Sequence, residues 1–181
     1  PIEKARVSVP PPSSKATTPV RPPLGESSAA SRAESPPDER TTRIAAMAMD
    51  ALKSEVKSCT ACGLCETRKN TVFGVGDESA DWMIVGEAPG AEEDAQGEPF
   101  VGQAGRLLDN MLAAINLERG ENVYIANVLK CRPPGNRRPE PAEIEACRPF
   151  VERQIRAVKP KAIVTLGATA TQALLRTTDS I

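Results

Sequence analysis

The sequence predicts an α/β protein: a three-layer α/β/α arrangement around a central parallel sheet. Two observations lead there. From residue 81 onward, short apolar runs alternate with amphipathic stretches of helical period. That alternation builds parallel sheets covered by helices and joined by right-handed crossovers. The loop after the first run, within residues 85–105, is rich in glycines and acids. It has the position at which open parallel sheets bind ligands, beyond the carboxyl ends of their strands. The chain, 181 residues with net charge −1, is the size of one domain plus a tail.

Residues 1–40 hold nine of the seventeen prolines and no aromatic side chain. Such a segment buries too little apolar surface to offset its ordering entropy, so 1–40 is predicted to be a disordered Pro/Ser-rich tail. A flexible linker suits this composition better than a proline-recognition ligand. Residues 41–181 are the predicted folded domain. From about Asp38 to Lys57, apolar residues Ile44, Met47, Ala48, Ala51, Leu52 and Val56 recur at helical spacing and predict one continuous amphipathic helix. Val72–Val75 predicts a short strand and Asp81–Val85 a buried one. Gly86-Glu87-Ala88-Pro89-Gly90 ends the latter, since proline cannot donate to a ladder. Ala104, Leu107, Leu108, Met111, Leu112 and Ile115 mark a helix over 103–116. Val123–Leu129 is the next apolar run, with Asn127 near its end. A proline-rich, basic loop over 131–141 precedes a helix over 141–158, with Ile144, Cys147, Val151, Ile155 and Val158 on one face. Ala162–Leu166 predicts a strand, and Gly167-Ala168-Thr169 opens a further helix. Three clear strands are few for a doubly wound sheet, and the sequence stops just after a helix. The expectation is a domain truncated at its carboxyl end; Pro1 also does not read as a translation start.

No apolar run is long enough to span a membrane, and no signal peptide is visible. Five unevenly spaced cysteines point to a reducing compartment, the cytoplasm, and to metal binding rather than a disulfide framework. The absence of histidine removes the commonest general acid–base group and the commonest metal ligand. Cys59 and Cys62 share a turn and can reach one centre; Cys131 follows a strand, and Cys147 sits in the next helix. Soft thiolates suit zinc or an iron–sulfur cluster. Spacing alone leaves cluster, zinc and no metal open, and Cys147 by itself reads equally as a small buried residue.

Gly86-Glu87-Ala88-Pro89-Gly90, then Glu92-Glu93-Asp94, Gln96-Gly97 and Pro99-Phe100-Val101-Gly102-Gln103-Ala104-Gly105 resemble the first motif of type-4 uracil-DNA glycosylases, the iron–sulfur branch of that superfamily. Cys59-x-x-Cys62-x-Leu64, Cys131-Arg132-Pro133-Pro134-Gly135-Asn136-Arg137 and Cys147 are similar to that family's cysteine motifs. The resemblance covers about residues 59–181. It implies a structural [4Fe-4S] cluster on Cys59, Cys62, Cys131 and Cys147, with Cys65 a spare thiol. It also implies hydrolytic excision of uracil from uracil-containing DNA, the start of base-excision repair, by a monomeric enzyme.

Excision needs a flipped-out base held in a pocket. Phe100 would be the stacking platform, though an ordinary core phenylalanine fits the same letters. Asn127 would pair with the uracil edge, though asparagine also closes turns at strand ends. Glu87 and the backbone at Ala88 would place the attacking water, because the superfamily's frequent water-orienting Asp is replaced here by Ala88; Glu87 could equally cap structure. Glu93 resembles the residue that fills space beside uracil C5. Asp94 is grouped with it in the substrate site, although an acidic run is also a common solvated helix start. Lys130, Arg132, Arg137 and Arg138 would meet DNA phosphates, though a solvated basic loop fits them nearly as well, and the Gly167–Thr169 helix start could meet another. One motif is missing: the family's late His-Pro segment, whose histidine stabilises the leaving group. The expectation is therefore an impaired fragment of an active parent. A non-catalytic iron–sulfur DNA-binding module is the main competing reading; an electron carrier is the weaker one.

Overall fold

A computed structural model describes residues 38–179. Residues 1–37, which hold nearly all of the predicted tail, lie outside the described residues. Asp38 accepts the Thr41 N–H at 2.6 Å and caps helix α1 (Glu39–Ala45), so that helix begins two residues before the boundary placed at 41. The single helix expected over 38–57 is instead two, α1 and α2 (Met49–Ser58). Ala46–Ala48 breaks it although these residues favour helix. Tertiary contacts decide: Arg153 Nε donates to the Met47 carbonyl at 2.6 Å, and Met47 and Met49 pack with Ile44, Leu52, Val56, Phe73 and Phe150.

The sheet has four strands in the order β1–β3–β2–β4: β1 (Val75–Gly76), β2 (Trp82–Gly86), β3 (Val123–Asn127) and β4 (Ala162–Thr165). β2 pairs in parallel with both β3 and β4. β1 pairs antiparallel with β3, so the sheet is mixed rather than wholly parallel, and the strand expected over 72–75 contributes only its last residue. An antiparallel edge on a parallel sheet is a common variant of such folds.

Side chains alternate across the strands and give the sheet two apolar faces. Met83, Val85, Tyr124 and Ala126 pack on α5 (Pro141–Val158) and α6 (Ala168–Leu175). Ile84, Val123 and Ile125 pack on α4 (Gln103–Ala114) through Leu108 and Leu112. This confirms the three layers. A short helix not foreseen as a separate element, α3 (Ala91–Gln96), lies between β2 and α4 and ends at Gly97, with φ +80°. No described helix is long and apolar enough to cross a membrane.

Candidate active site and cysteine chamber

The parallel register sets Gly86, the last residue of β2, beside Asn127, the last of β3. The chain then continues the pairing, with Val128 N–H donating to Gly86 O at 2.9 Å and Leu129 N–H to Glu87 O at 3.0 Å. Two strand ends are thereby held side by side, and the Phe100 ring stands against them. A Cβ on Gly86 would lie 2.5 Å from Asn127 Oδ1 and 2.5 Å from Phe100 Cζ, so these two atoms are within about 5 Å of each other. Sequence reasoning paired Phe100 with Asn127; the structure brings them to one place, with Gly86 as the floor.

Asn127 is only 2 % exposed, and its Oδ1 is buried without a hydrogen-bond partner among the described residues. A buried acceptor left unpaired costs about 1–3 kcal/mol, and the great majority of such atoms are satisfied. An unpaired one beside an aromatic ring at the carboxyl end of a parallel strand is an atom shaped for a ligand donor.

Phe100 is held in a left-handed backbone conformation, φ +55°, rare for an aromatic residue. Glu93 braces this loop: Oε1 accepts the N–H groups of Val101 and Gly102, both at 3.0 Å, and Oε2 accepts that of Gly90 at 3.0 Å. Burial alone would push the Glu93 carboxyl up, but the backbone donors outweigh it and hold the group below the usual range. Glu93 therefore acts on the pocket through the loop it organises. Asp94, grouped with the substrate site, is buried and turned to structure. Its Oδ1 accepts from Lys69 N at 2.9 Å and Asn70 N at 3.3 Å, tying α3 to the loop before β1. Glu87 is half-buried at the end of β2. Ala88 packs against Leu64, Leu129, Cys131 and Cys147, so one pentapeptide borders Phe100 and Asn127 at Gly86 and the cysteines at Ala88.

The cysteines gather. Cys59, Cys62, Cys131 and Cys147 line one small cavity. Cys65, expected to stand apart, lines it too. Among the described residues no group of three or more His, Cys, Asp or Glu is arranged to hold a metal ion. The sulfurs thus border a shared space rather than closing on a point. Burial pushes the Cys147 thiol up to about 12 and raises Cys131 and Cys62 as well. Two basic side chains stand in the wall: Arg68 Nη1 donates to Cys131 Sγ at 3.2 Å, and Lys130, whose ammonium burial pushes down to about 7, lines the same cavity.

Lys130 corrects an expectation. It is 1 % exposed, with Nζ donating to Asn127 O at 2.7 Å and to Gln154 Oε1 at 2.6 Å. A side chain so placed cannot meet a DNA phosphate; it ties the Asn127 strand end to α5. Arg137 is exposed but committed, in a bidentate pair with Glu143 at 2.9 and 2.6 Å. Arg132 bonds Asn136 Oδ1 at 2.7 Å, while exposed Arg138 reaches Gln172 at 3.3 Å. Sequence reasoning missed Arg119, whose guanidinium holds the Phe100 loop, and Gln154, the backstop of Lys130. Neither stands in a motif, and no signal in its neighbours marks it.

Fold and site together define a three-layer α/β protein with Phe100 and Asn127 meeting over Gly86 at its strand ends and a thiol-lined chamber nearby. The uracil DNA glycosylase superfamily profile matches residues 73–180. The chain is 52 % identical over 131 residues to the type-4 uracil-DNA glycosylase of Archaeoglobus fulgidus, covering 72 % of this chain and 65 % of that one. It is 52 % identical over 125 residues to the type-4 uracil-DNA glycosylase of Sulfurisphaera tokodaii, covering 68 % and 56 %. With the Thermotoga maritima type-4 uracil-DNA glycosylase it shares 50 % over 122 residues, covering 67 % and 63 %. The chain belongs to the uracil DNA glycosylase superfamily. It spans less than two thirds of the length of these relatives.

Proposed function

We propose that this protein is a monofunctional uracil-DNA glycosylase of the type-4 kind, which hydrolyses the bond between uracil N1 and deoxyribose C1′ in DNA and so opens base-excision repair. The observation that carries this reading is the partnerless, buried Asn127 Oδ1 beside the Phe100 ring. An amide offers one acceptor and a donor pair on a fixed plane. Uracil presents an N3–H donor and an O4 acceptor; cytosine presents the reverse. A flipped-out uracil stacked on Phe100 would give Oδ1 the donor it lacks, and cytosine would oppose it with a lone pair. The Asn127 amide N–H at O4 would also stabilise the uracil anion as the C1′–N1 bond breaks, the point where fixed donors accelerate a reaction most. Water adds to C1′ from the side of Glu87 and the Ala88 backbone, and the departing uracil takes up a proton.

The donor set of the chamber fits a [4Fe-4S] cluster held by Cys59, Cys62, Cys131 and Cys147. All four candidate ligands are sulfur, they line one cavity, and the Arg68 guanidinium stands at Cys131 Sγ. The cluster would serve as a cross-link between the Cys59–Cys65 turn, the Cys131 loop and α5. Arg132 and Arg138 are the basic side chains left to face DNA. We place the enzyme in the reducing cytoplasm, acting as a monomer. An oligonucleotide containing one uracil, incubated with the full-length protein and then treated with hot alkali, should be cut at that position. A strand left whole at every temperature tried overturns the reading.

A further inference from the structure

Phe100 holds an uncommon backbone angle, and something must keep it there. One device is Glu93, which takes the N–H groups after the ring. A second is space: a Cβ at Gly105 would lie 1.7 Å from the Phe100 carbonyl oxygen, so only glycine lets the first turn of α4 pass that close. The third comes from the loop between α4 and β3. Arg119 Nη1 donates to Pro99 O at 2.8 Å and Nη2 to Phe100 O at 2.7 Å. On the other side of the guanidinium, Nε and Nη2 donate to Asp109 Oδ1 at 3.1 and 2.9 Å. Asp109 stands on α4, so the fork is itself fixed to the helix that follows the ring.

We propose that Arg119 is a positioning residue for the pocket: it grips the two carbonyls at the ring and sets where Phe100 stands over Gly86 and Asn127. The assignment rests on the reading of Phe100 as the base platform. The chemistry calls for arginine. Its planar fork serves two carbonyls and a carboxylate at once, whereas a lysine is a point charge on a flexible stem. With the clamp released, the ring leaves the place at which a base is pinned against Asn127, and a misplacement of about 1 Å costs on the order of 100-fold in rate.

The test compares Arg119→Lys, Phe100→Ala and the double variant in two measurements. The first is single-turnover excision of uracil from an oligonucleotide, together with affinity for the same oligonucleotide without uracil. Arg119→Lys should excise about 10- to 100-fold more slowly with unchanged affinity. The double variant should be no slower than Phe100→Ala alone, because the clamp acts through the ring. Multiplying penalties, or a parental rate in Arg119→Lys, overturn the proposal. The second is amide hydrogen exchange in residues 97–106, which should quicken in Arg119→Lys and needs no substrate. Quickened exchange in a protein that excises nothing would keep the clamp and remove the uracil reading. Unchanged exchange removes the clamp whatever the activity. Should Arg119→Lys fail to fold, Asp109→Asn, which loosens the guanidinium from the other side, takes its place in both measurements.

Discussion

Gly86→Ala puts the smallest possible obstacle on the pocket floor. The added methyl would sit 2.5 Å from Asn127 Oδ1 and 2.5 Å from Phe100 Cζ. Ordinary carbon contacts lie near 3.5–4.0 Å, so each neighbour must retreat by about 1 Å or more. Neither is free to do so cheaply. Asn127 is in β3, whose next residues bond to Gly86 and Glu87, and Phe100 is held by Glu93 and Arg119. Overpacking of this kind costs about 1–3 kcal/mol of stability. The effect on the reaction should be larger, because ring and amide move apart at the one place where a base would lie between them. A loss on the order of 100-fold or more in single-turnover excision is expected, with the affinity for undamaged DNA retained. Melting followed by circular dichroism gives the first number and a uracil oligonucleotide under enzyme excess the second. A Gly86→Ala protein that melts lower yet excises at the parental rate would show that the base does not lie over Gly86, and the pocket would have to be sought elsewhere.

The other expectations separate roles that look alike in the sequence. Asn127→Ala deletes an acceptor that has no partner, so it should cost little stability, under about 1 kcal/mol by melting, while excision falls by on the order of 100-fold. Lys130→Ala leaves Gln154 Oε1 without its buried donor and should destabilise by about 2–4 kcal/mol, yet leave the salt dependence of DNA binding unchanged. Arg138→Gln should do the opposite, lowering the slope of log affinity against log salt by about 1 with melting unaffected. Glu93 is held below the usual carboxylate range by the backbone N–H groups of Gly102, Val101 and Gly90, against its burial. Its contribution to stability is thus complete above the unfolded value near 4.5 and is lost as pH falls through the lower folded value. Melting temperature against pH should show that loss in the parent and a flatter acid limb in Glu93→Gln.

Much of this was legible in the letters. β2, β3 and β4 announce themselves as apolar runs between breakers, and α5 as an apolar stripe begun by Pro141. Phe100 and Asn127 were placed in one site from a motif, and the four cysteines in one chamber. What escaped has a common cause: the deciding partner is distant in sequence. Lys130 follows an apolar run and opens a basic loop, so it reads as a surface charge. Gln154, 24 residues on, and the Asn127 carbonyl make it an interior strut. The break between α1 and α2 comes from Arg153, 106 residues beyond Met47. The antiparallel edge depends on β1 meeting β3, which two residues of extended chain do not declare. Glu93 and Asp94 look like one acidic patch, but their carboxylates brace different loops. The end of α3 at Gly97 carried a usable signal, since glycine is the usual residue where a helix stops in the left-handed region.

Gly86 and Ala88 lie two positions apart, the first against Phe100 and Asn127, the second against the cysteines. The wall between the two compartments is therefore a single thickness of polypeptide. If the proposed cluster fills the chamber, its loss would be felt at Gly86, and through it at Phe100 and Asn127, within two residues of the sulfurs.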